Sequence, residues 1–450
     1  HLVLSNYVAP AVVASPAPAW PAGRLLALSA KSSAGLQALV QAVAADLEQQ
    51  SAGDWSAYCG AAGRGRGHYN HRLTLVADSA QAAAQSLRAG EGINCRRSSQ
   101  PPRIAFLFTG QGAQYVQMGR QLYDQEPYFR QLLDQCDAIA SPLLGRSLLG
   151  LLYPPAGQEA ETEALQAATE YTQPLLFAIE YAVAQLWRRW GIEPEVLIGH
   201  SIGELVAATV AGLWSLEAGL TLVCARGRLL ADLCPRGAMA AISLTEAEVQ
   251  HHLAAHPGLV IAGVNGPHSV AVAGDEGAIV ALVTDLTQQG VEVQRLRVSH
   301  AFHSPAVAAM VPAFRDVLAK LTWGTPTLPL ISNLTGDYAD PGQLANPDYW
   351  CQHLRQPVRF ADGITRLLQD GFDTFIEVGP KPTLLGLATA QAAELGKSDQ
   401  FHGLPSLRYS LSPWNQLLAS LSHLYRLGVD GAARALALGE GRYPCRLPNM

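Results

Sequence analysis

The stretch "VLIGHSIGELVAATVAG", residues 196–212, decides the fold class of this chain. Its apolar start favours a buried strand, and residues 204–210, with alanines and no proline, favour a helix directly after it. A strand that turns at once into a helix leaves little room, and Gly199 and Gly203 permit the close approach. Ser201 then stands at the corner, as in a nucleophile elbow. Because this five-residue pattern also occurs by accident, the rest of the chain must decide whether the serine is functional.

Length and composition exclude several classes of protein. The 450 residues exceed the roughly 100 to 200 of a typical domain, so two or three folded units are expected. A net charge of −6 argues against a nucleic-acid partner, whose binding rests on phosphate neutralisation. The seven cysteines lack the spacing of a zinc site or a disulfide framework, so no metal is expected and a reducing compartment is favoured. Without a signal peptide or an apolar run of about 20 residues, the sequence predicts a cytoplasmic protein with no membrane partner.

The pattern of apolar residues predicts two α/β units in succession. In the first, the predicted strands are 25–29 and 71–77, and the predicted helices are 33–49 and 79–89. A polar connector, 90–102, separates it from a larger unit in which strands alternate with helices, the order of a parallel sheet. The predicted strands of the larger unit are 103–108, 196–198, 328–332 and 374–378, and its helices are 128–140, 173–190, 305–320, 357–370 and 412–427.

Between residues 237 and 299 the pattern changes character. Short strands are predicted at 238–242, 260–264, 270–273 and 291–298, with helices at 245–255 and 276–289. The order βαββαβ is that of a ferredoxin-like unit. The predicted fold class is therefore α/β, a hydrolase-like parallel-sheet core with an inserted ferredoxin-like subdomain, preceded by a small α/β linker domain.

A serine hydroxyl becomes a nucleophile only when a base within hydrogen-bond reach takes its proton. His200 adjoins Ser201, but neighbours on an extended backbone point to opposite faces, so a packing role is predicted for His200. The stretch "VSHAFHSP" supplies His300 and His303 at the end of a predicted strand, where a loop residue can project over a site. These histidines are the better candidates for the base.

Nine segments of the chain occur in the order and spacing of one enzyme family. They are "FTGQGAQ" (108–114), "TQPLLFAIEYA" (172–182), "GHSIGE" (199–204), "CARGRLL" (224–230), "RGAMAAI" (236–242), "GVNGPHSVAVAG" (263–274), "HAFHSP" (300–305), "YWCQHLRQPVRF" (349–360) and "FIEVGPKPTLLG" (375–386). Together they resemble the malonyl-type acyltransferase domain of modular polyketide synthases. The resemblance covers nearly the whole chain.

The resemblance also implies a division into domains. Residues 1–22 correspond to the tail of a preceding ketosynthase, followed by a linker. The stretch "HLVL" at residues 1–4 resembles the last strand of that ketosynthase. Residues 23–100 correspond to the linker domain between ketosynthase and acyltransferase. The acyltransferase spans 101–427, with a large subdomain of 101–236 and 304–427 and a ferredoxin-like small subdomain of 237–303. Residues 428–450 correspond to the linker after the acyltransferase.

Carried over residue by residue, the resemblance assigns the covalent chemistry. Ser201 is implied to be the acylated nucleophile and His303 its base. The backbone N–H groups of Gln111 and Ile202 are implied to hold the oxyanion of the ester intermediate. In this family backbone carbonyls, including ones near "YWCQHL", orient the base, so no aspartate is assigned.

Substrate recognition is likewise implied by the resemblance. An arginine at the position of Arg226 binds the free carboxylate of a malonyl group, which suits the planar, permanently charged guanidinium. Gln173, His300, Phe302 and His353 complete the implied substrate-binding set. Family members that use malonyl carry His-Ala-Phe-His where those that use methylmalonyl carry Tyr-Ala-Ser-His, and residues 300–303 are His-Ala-Phe-His. Ile202 also matches the malonyl group.

The implied reaction moves a malonyl unit from malonyl-CoA, through a serine ester, to the phosphopantetheine thiol of an acyl carrier protein. Coenzyme A enters as a thioester substrate, and no bound cofactor is expected. The implied partners are the carrier protein and the adjacent ketosynthase of the same polypeptide. Two alternatives stay open. A serine hydrolase or thioesterase would share Ser201 and His303 without needing Arg226, and an inactive docking module would only space neighbouring domains.

Overall fold

The computed structural model describes residues 23–49, 55–64, 67–96 and 100–432. The predictions for residues 1–22, and for most of the linker predicted at 428–450, lie outside the described residues. Within the described residues, no helix is both long enough and apolar enough to cross a lipid bilayer.

The N-terminal unit is a three-stranded antiparallel sheet covered by helices. Its strands, in the order β1-β2-β3, are β1 (Arg24–Ala30), β2 (His71–Ala77) and β3 (Ile93–Arg96). Its helices are α1 (Ser33–Gln49), α2 (Trp55–Arg64) and α3 (Ala80–Arg88). The unit buries a hydrophobic cluster of its own, which includes Leu26, Leu39 and Tyr58. The sequence pattern predicts neither α2 nor β3, and β3 lies within the predicted connector 90–102.

The central unit is a five-stranded parallel sheet, as the strand and helix order predicts. The sheet order is β10-β5-β4-β11-β12, with strands β4 (Ile104–Phe108), β5 (Val196–Gly199), β10 (Leu330–Ile331), β11 (Thr374–Val378) and β12 (His402–Pro405). Every residue of β4, β5 and β11 is buried, as expected where helices cover both faces of a parallel sheet. The α/β fold class is confirmed.

Seven helices of the central unit precede the insertion. They are α4 (Arg120–Gln125), α5 (Pro127–Leu144), α6 (Leu148–Leu152), α7 (Glu159–Gln166), α8 (Thr169–Arg189), α9 (Ile202–Val210) and α10 (Leu216–Leu233). Helix α9 starts three residues after β5 ends, so the sharp strand-to-helix turn expected at Ser201 is present.

The inserted unit is a four-stranded antiparallel sheet with two helices. Its elements are β6 (Ala238–Ile242), α11 (Glu246–Leu253), β7 (Val260–Gly266), β8 (Ser269–Gly274), α12 (Glu276–Gln288) and β9 (Val293–Arg295). The order β7-β8-β6-β9 places the first strand between the third and the fourth, as in a ferredoxin-like unit. Strand β9 is shorter than predicted because the Val298 N–H turns back to bond the Leu296 carbonyl.

The chain then returns to the central unit. The remaining helices are α13 (Val311–Leu318), α14 (Pro341–Leu344), α15 (Pro347–His353), α16 (Phe360–Gln369), α17 (Thr383–Glu394) and α18 (Pro413–Leu427). The single helix predicted at 305–320 is divided into a 3₁₀ segment, Pro305–Met310, and α13. Pro312 has no N–H to donate within a continuous helix but fits a first turn, which accounts for the break.

Helix α18 joins the N-terminal unit to the central unit. The Arg72 guanidinium is fully buried and donates to the Tyr425 carbonyl and to the Asp430 carboxylate, both at 2.6 Å. At the other end of the helix, Trp414 Nε1 donates to the Gly23 carbonyl at 3.3 Å. These bonds fix the N-terminal sheet against the last helix of the central unit.

Candidate active site

Ser201 occupies a strained backbone position between β5 and α9. Its φ of 54° and ψ of −112° lie in a region that residues with a side chain rarely adopt. The flanking glycines are required by space: a Cβ on Gly203 would lie 2.2 Å from the Phe108 carbonyl oxygen, and one on Gly199 would lie 2.1 Å from the Glu204 nitrogen. The elbow geometry predicted from "GHSIG" is therefore present.

Asn333 braces this elbow and was missed by the sequence analysis. Its Oδ1 accepts the Ser201 backbone N–H at 2.7 Å, and its Nδ2 donates to the Gly199 carbonyl at 2.7 Å. The Asn333 N–H in turn donates to the buried carboxylate of Glu204 at 2.7 Å. Because "SNLTGD" has the composition of an ordinary turn, no local signal marks Asn333.

The Ser201 hydroxyl lies in hydrogen-bond contact with His303, 2.7 Å from Oγ to Nε2. The other ring nitrogen, Nδ1, lies 3.0 Å from the carbonyl oxygen of Gln356. A carbonyl can only accept, so Nδ1 carries the proton and Nε2 is left to accept from the serine. Gln356 belongs to the stretch 349–360, close to where the resemblance placed the orienting carbonyls.

Burial has the largest effect on the pKa of His303 and holds this pKa well below the usual range for histidine. Electrostatic interactions with the neighbouring His353, Arg226 and His200 side chains lower this pKa further, and the hydrogen bond to Gln356 opposes them weakly. The imidazole is therefore neutral at pH 7. A neutral imidazole beside a hydroxyl is competent to take the hydroxyl proton.

The turn after β4 meets the elbow from the other side. A Cβ on Gly110 would lie 2.9 Å from His200 Nδ1, so the two loops are in close contact. Within the described part of the chain, the backbone N–H groups of Gln111 and Ile202 have no protein acceptor. Two unpaired N–H groups beside a nucleophile can stabilise an oxyanion.

Arg226, on α10, also reaches the serine. Its guanidinium is 2% exposed, and one terminal nitrogen lies 3.4 Å from Ser201 Oγ. Burial lowers its pKa to about 10, and no neighbouring carboxylate in the described chain counters this. Its Nε has no hydrogen-bond partner among the described residues. A buried cation without a counter-ion is costly, which favours binding of an anion at this position.

The remaining predicted substrate-binding residues are all buried. The rings of His300 and Phe302 lie 6.1 Å apart, directly before His303 in the chain. Gln173 is 1% exposed, and its Oε1 accepts no hydrogen bond from the described residues. His353 lies edge-on to His303 at 6.0 Å between ring centroids, with its Nε2 3.5 Å from the Glu204 carboxylate. Of these four, only His353 is shown in contact with the dyad.

His200 packs away from the serine hydroxyl. Its Nε2 lies 2.8 Å from Asn265 Oδ1, and its ring lies 5.8 Å from that of Phe360. Burial lowers its pKa, so the ring stays neutral. The packing role predicted for this histidine agrees with these contacts.

A strained corner serine beside a neutral imidazole is the arrangement of α/β enzymes that form a covalent ester on serine. Among the residues that the structure describes, no cluster of three or more histidine, cysteine or acidic side chains is placed to hold a metal ion.

Comparison with known families identifies which kind of serine-ester enzyme this chain is. The family model of the acyl transferase domain matches residues 105–407, and the model described as CurL-like, polyketide synthase C-terminal, matches residues 24–87. The chain therefore belongs to the acyltransferase domain family, and its N-terminal unit is the linker region found in polyketide synthases. The resemblance inferred from the sequence is confirmed.

Individual relatives agree with this assignment. A spectinabilin polyketide synthase system protein of Streptomyces orinoci is 43% identical over 327 residues, which are 72% of this chain and 15% of that protein. The chain thus spans a small part of such relatives. The structure of the acyltransferase domain of ZmaA superposes with a TM-score of 0.85. The two sequences are 32% identical, and the match covers 95% of this chain and 99% of that one. The malonyl-CoA:acyl carrier protein transacylase of Xanthomonas oryzae superposes with a TM-score of 0.62 at 29% sequence identity. That match covers 71% of this chain and 98% of the transacylase.

Proposed function

We propose that this domain transfers malonyl from malonyl-CoA to the phosphopantetheine thiol of an acyl carrier protein, within a polyketide synthase that also carries a ketosynthase. The observation that carries the proposal is Arg226. A buried, unpaired guanidinium 3.4 Å from the serine oxygen fits an acyl group that ends in a carboxylate. Malonyl offers such a carboxylate, and acetyl does not.

The first half-reaction loads the enzyme. Ser201 Oγ attacks the thioester carbonyl carbon while His303 Nε2 takes the hydroxyl proton, and the N–H groups of Gln111 and Ile202 hold the oxyanion. The carbon–sulfur bond then breaks, and the proton on His303 passes to the leaving coenzyme A thiol. The product is a malonyl ester on Ser201, with no bound cofactor required.

The second half-reaction reverses these roles. His303 takes the proton of the phosphopantetheine thiol, whose sulfur attacks the ester carbonyl. The ester bond breaks, and His303 passes the proton taken from the thiol to Ser201 Oγ. The pKa depressed by burial keeps His303 neutral, and so able to accept a proton, at the start of each half-reaction.

Selection of malonyl over methylmalonyl is proposed to rest on His300 and Phe302. Both side chains are buried, and they immediately precede the base in the chain. In the family, serine at the position of Phe302 accompanies use of the branched unit. A phenyl ring at this position would fill the space that an α-methyl group needs.

Replacing residues 300–302 with Tyr-Ala-Ser is expected to lower the ratio of kcat/KM for malonyl to kcat/KM for methylmalonyl by about 10- to 100-fold. The reason is that one methyl group in an apolar pocket changes the free energy of transition-state binding by about 1 to 3 kcal/mol. His303 is kept, so acylation should continue. The measurement is a competition between both acyl-CoA thioesters, with the products distinguished by the mass of the acylated carrier protein. An unchanged ratio in an active variant would show that these side chains do not face the acyl group.

Two other functions are less well supported. A serine hydrolase needs the dyad but has no use for an unpaired Arg226 beside it. An inactive spacer has no reason to maintain a strained serine 2.7 Å from a neutral imidazole. Comparing thioester hydrolysis with transfer to a thiol separates the first alternative from the proposal.

The proposed function is tested by incubating the protein with an equimolar set of acyl-CoA thioesters and measuring its intact mass. We expect the mass of one malonyl group, mapped by peptide analysis to Ser201. Addition of the carrier protein should remove that mass and place it on the carrier. Preferential loading of acetyl, or a label on a cysteine, would overturn the proposal.

A further inference from the structure

Three loops of the central unit meet at one edge of the sheet. Strands β4, β5 and β11 are parallel neighbours, so their carboxyl ends lie side by side. The loop after β5 carries Ser201, and the loop after β4 carries Gln111. The loop after β11 carries Lys381, and a Cβ on Gly379 in this loop would lie 2.4 Å from Thr109. Lys381 is therefore placed beside the glycine-rich turn, although the proposed chemistry does not use it.

Lys381 is held between two aromatic rings. Its Nζ lies 5.6 Å from the ring centroid of Tyr115 and 5.6 Å from that of Tyr409, and it donates to the Gln114 carbonyl at 3.4 Å. The two rings are edge-on to each other, 5.0 Å apart. An ammonium group within about 6 Å of ring centroids is attracted by the ring faces. The side chain is thereby held in one place at the surface.

No carboxylate neutralises this ammonium within ion-pair distance among the described residues. Glu163 acts on it only from farther away, and partial burial lowers the pKa of Lys381. Nearby Arg120, in contrast, pairs with Asp124 at 2.9 Å. Burial raises the pKa of Tyr115 to about 12, so its phenol remains a hydrogen-bond donor. The cluster thus presents a half-buried cation with no counter-ion among the described residues, beside a phenol that stays protonated.

Backbone strain marks the same place. Among the described residues, the non-glycine residues with positive φ are Ser201, His303, Gln117 (φ 70°) and Ser410 (φ 67°). Gln117 and Ser410 line a groove of about 360 Å³ that Tyr115 also lines. Strain of this kind persists where the surroundings hold the backbone firmly, and it is common at ligand sites. Gln117 lies two residues after Tyr115 and Ser410 directly follows Tyr409, so both aromatic residues adjoin strained positions.

The distance to the proposed reaction centre suits a pantetheine arm. Tyr115 follows Gln111 by four residues, which span at most about 14 Å when fully extended. Pantetheine has about the length of five extended residues, roughly 17 Å. A thioester carbonyl at Ser201 can therefore be joined by pantetheine to a phosphate near Tyr115.

We propose that Lys381, Tyr115 and Tyr409 form a binding site for the phosphate ester of the pantetheine arm. We call these three residues the lysine clasp. Coenzyme A and the carrier protein share this group, so the clasp would serve both half-reactions. The inference rests on the proposed function and names a second contact of the same substrates, far from the acyl group.

The test compares two malonyl donors that differ by one phosphate, malonyl-phosphopantetheine and malonyl-pantetheine. Lys381→Met keeps the length of the side chain and removes the charge. It should raise KM for the phosphorylated donor by about 10-fold, as expected for a partly exposed charge-assisted hydrogen bond, and leave KM for the other donor unchanged. Lys381→Arg should restore most of the difference. Lys320→Met, at an exposed lysine, is the matched control and should behave like the unaltered protein.

Two further measurements distinguish binding of the phosphate of coenzyme A from binding of the phosphate on the carrier protein. KM for malonyl-CoA reports the first half-reaction, and KM for the carrier protein reports the second. An increase for both supports a shared clasp, and an increase for neither overturns it. An equal fall in kcat for the phosphorylated and unphosphorylated donors would show that Lys381 only supports the glycine-rich turn, and would also overturn it. Absence of loading in the unaltered protein would overturn the proposed function and this inference together.

Discussion

Replacing Ser201 with alanine is expected to remove malonyl loading altogether, a fall of at least about 10⁴-fold. Among the described residues, no other hydroxyl is in hydrogen-bond contact with His303. The fold should survive, since the hydroxyl makes contacts only to His303 and Arg226 in the described chain. Intact-mass analysis after incubation with malonyl-CoA measures the loading. Circular dichroism checks the fold.

The control is Ser398→Ala, at an exposed serine in a short 3₁₀ segment. This variant should load malonyl at the rate of the unaltered protein. Continued loading of the Ser201→Ala variant would show that the acyl group attaches elsewhere, for example to a cysteine thiol. The proposed mechanism would then fail, although the family assignment would stand.

Replacing Arg226 with alanine is expected to lower kcat/KM for malonyl-CoA by about 10²- to 5 × 10³-fold, since breaking a buried ion pair between guanidinium and substrate carboxylate costs about 3 to 5 kcal/mol. Acetyl-CoA has no carboxylate, so its transfer should be unchanged or faster once the unpaired cation is gone. Parallel loading assays with the two thioesters give the ratio.

Arg228→Ala, two residues farther along α10, is the matched control for that experiment. Its guanidinium reaches the Leu143 carbonyl on the exposed side of the helix, so both thioesters should be used normally. If Arg226→Ala lowers malonyl and acetyl transfer equally, the arginine supports the fold of the pocket and does not recognise the substrate.

The sequence predicts an element well where its pattern is local. The bounds of α1, β2 and β11 agree with the prediction because periodic apolar residues or a short apolar run lie between clear end signals. Strand β3 was missed because "INCR" is short and polar, and it is a strand only through pairing with β2. Strand β12 likewise depends on pairing with β11. Tertiary pairing, not local propensity, decides such edge strands.

The residues of the candidate site likewise fall into those that a local sequence pattern predicts and those that only the tertiary structure reveals. Ser201, His303 and Arg226 belong to segments with a family pattern, and the structure brings all three together. Asn333 and Glu204 act through hydrogen bonds between segments far apart in the chain. Asn333 has no local signature, and although Glu204 ends the segment "GHSIGE", that segment does not show which residue it contacts. The roles of Gln173, His300 and Phe302 stay predictions, because their side chains are buried in the structure without a demonstrated contact to the dyad.

The attachment of α18 to the linker sheet has a consequence for the exchange of acyltransferases between synthases. Trp414 and Tyr425 are buried partly against the linker unit, and the Asp430 carboxylate pairs with Arg72 of that unit. A graft that begins near residue 101 would leave this apolar face without its cover and Asp430 without its cation. The transplantable unit therefore begins no later than Gly23 and continues past Asp430, so that donor linker and donor catalytic core move as one piece.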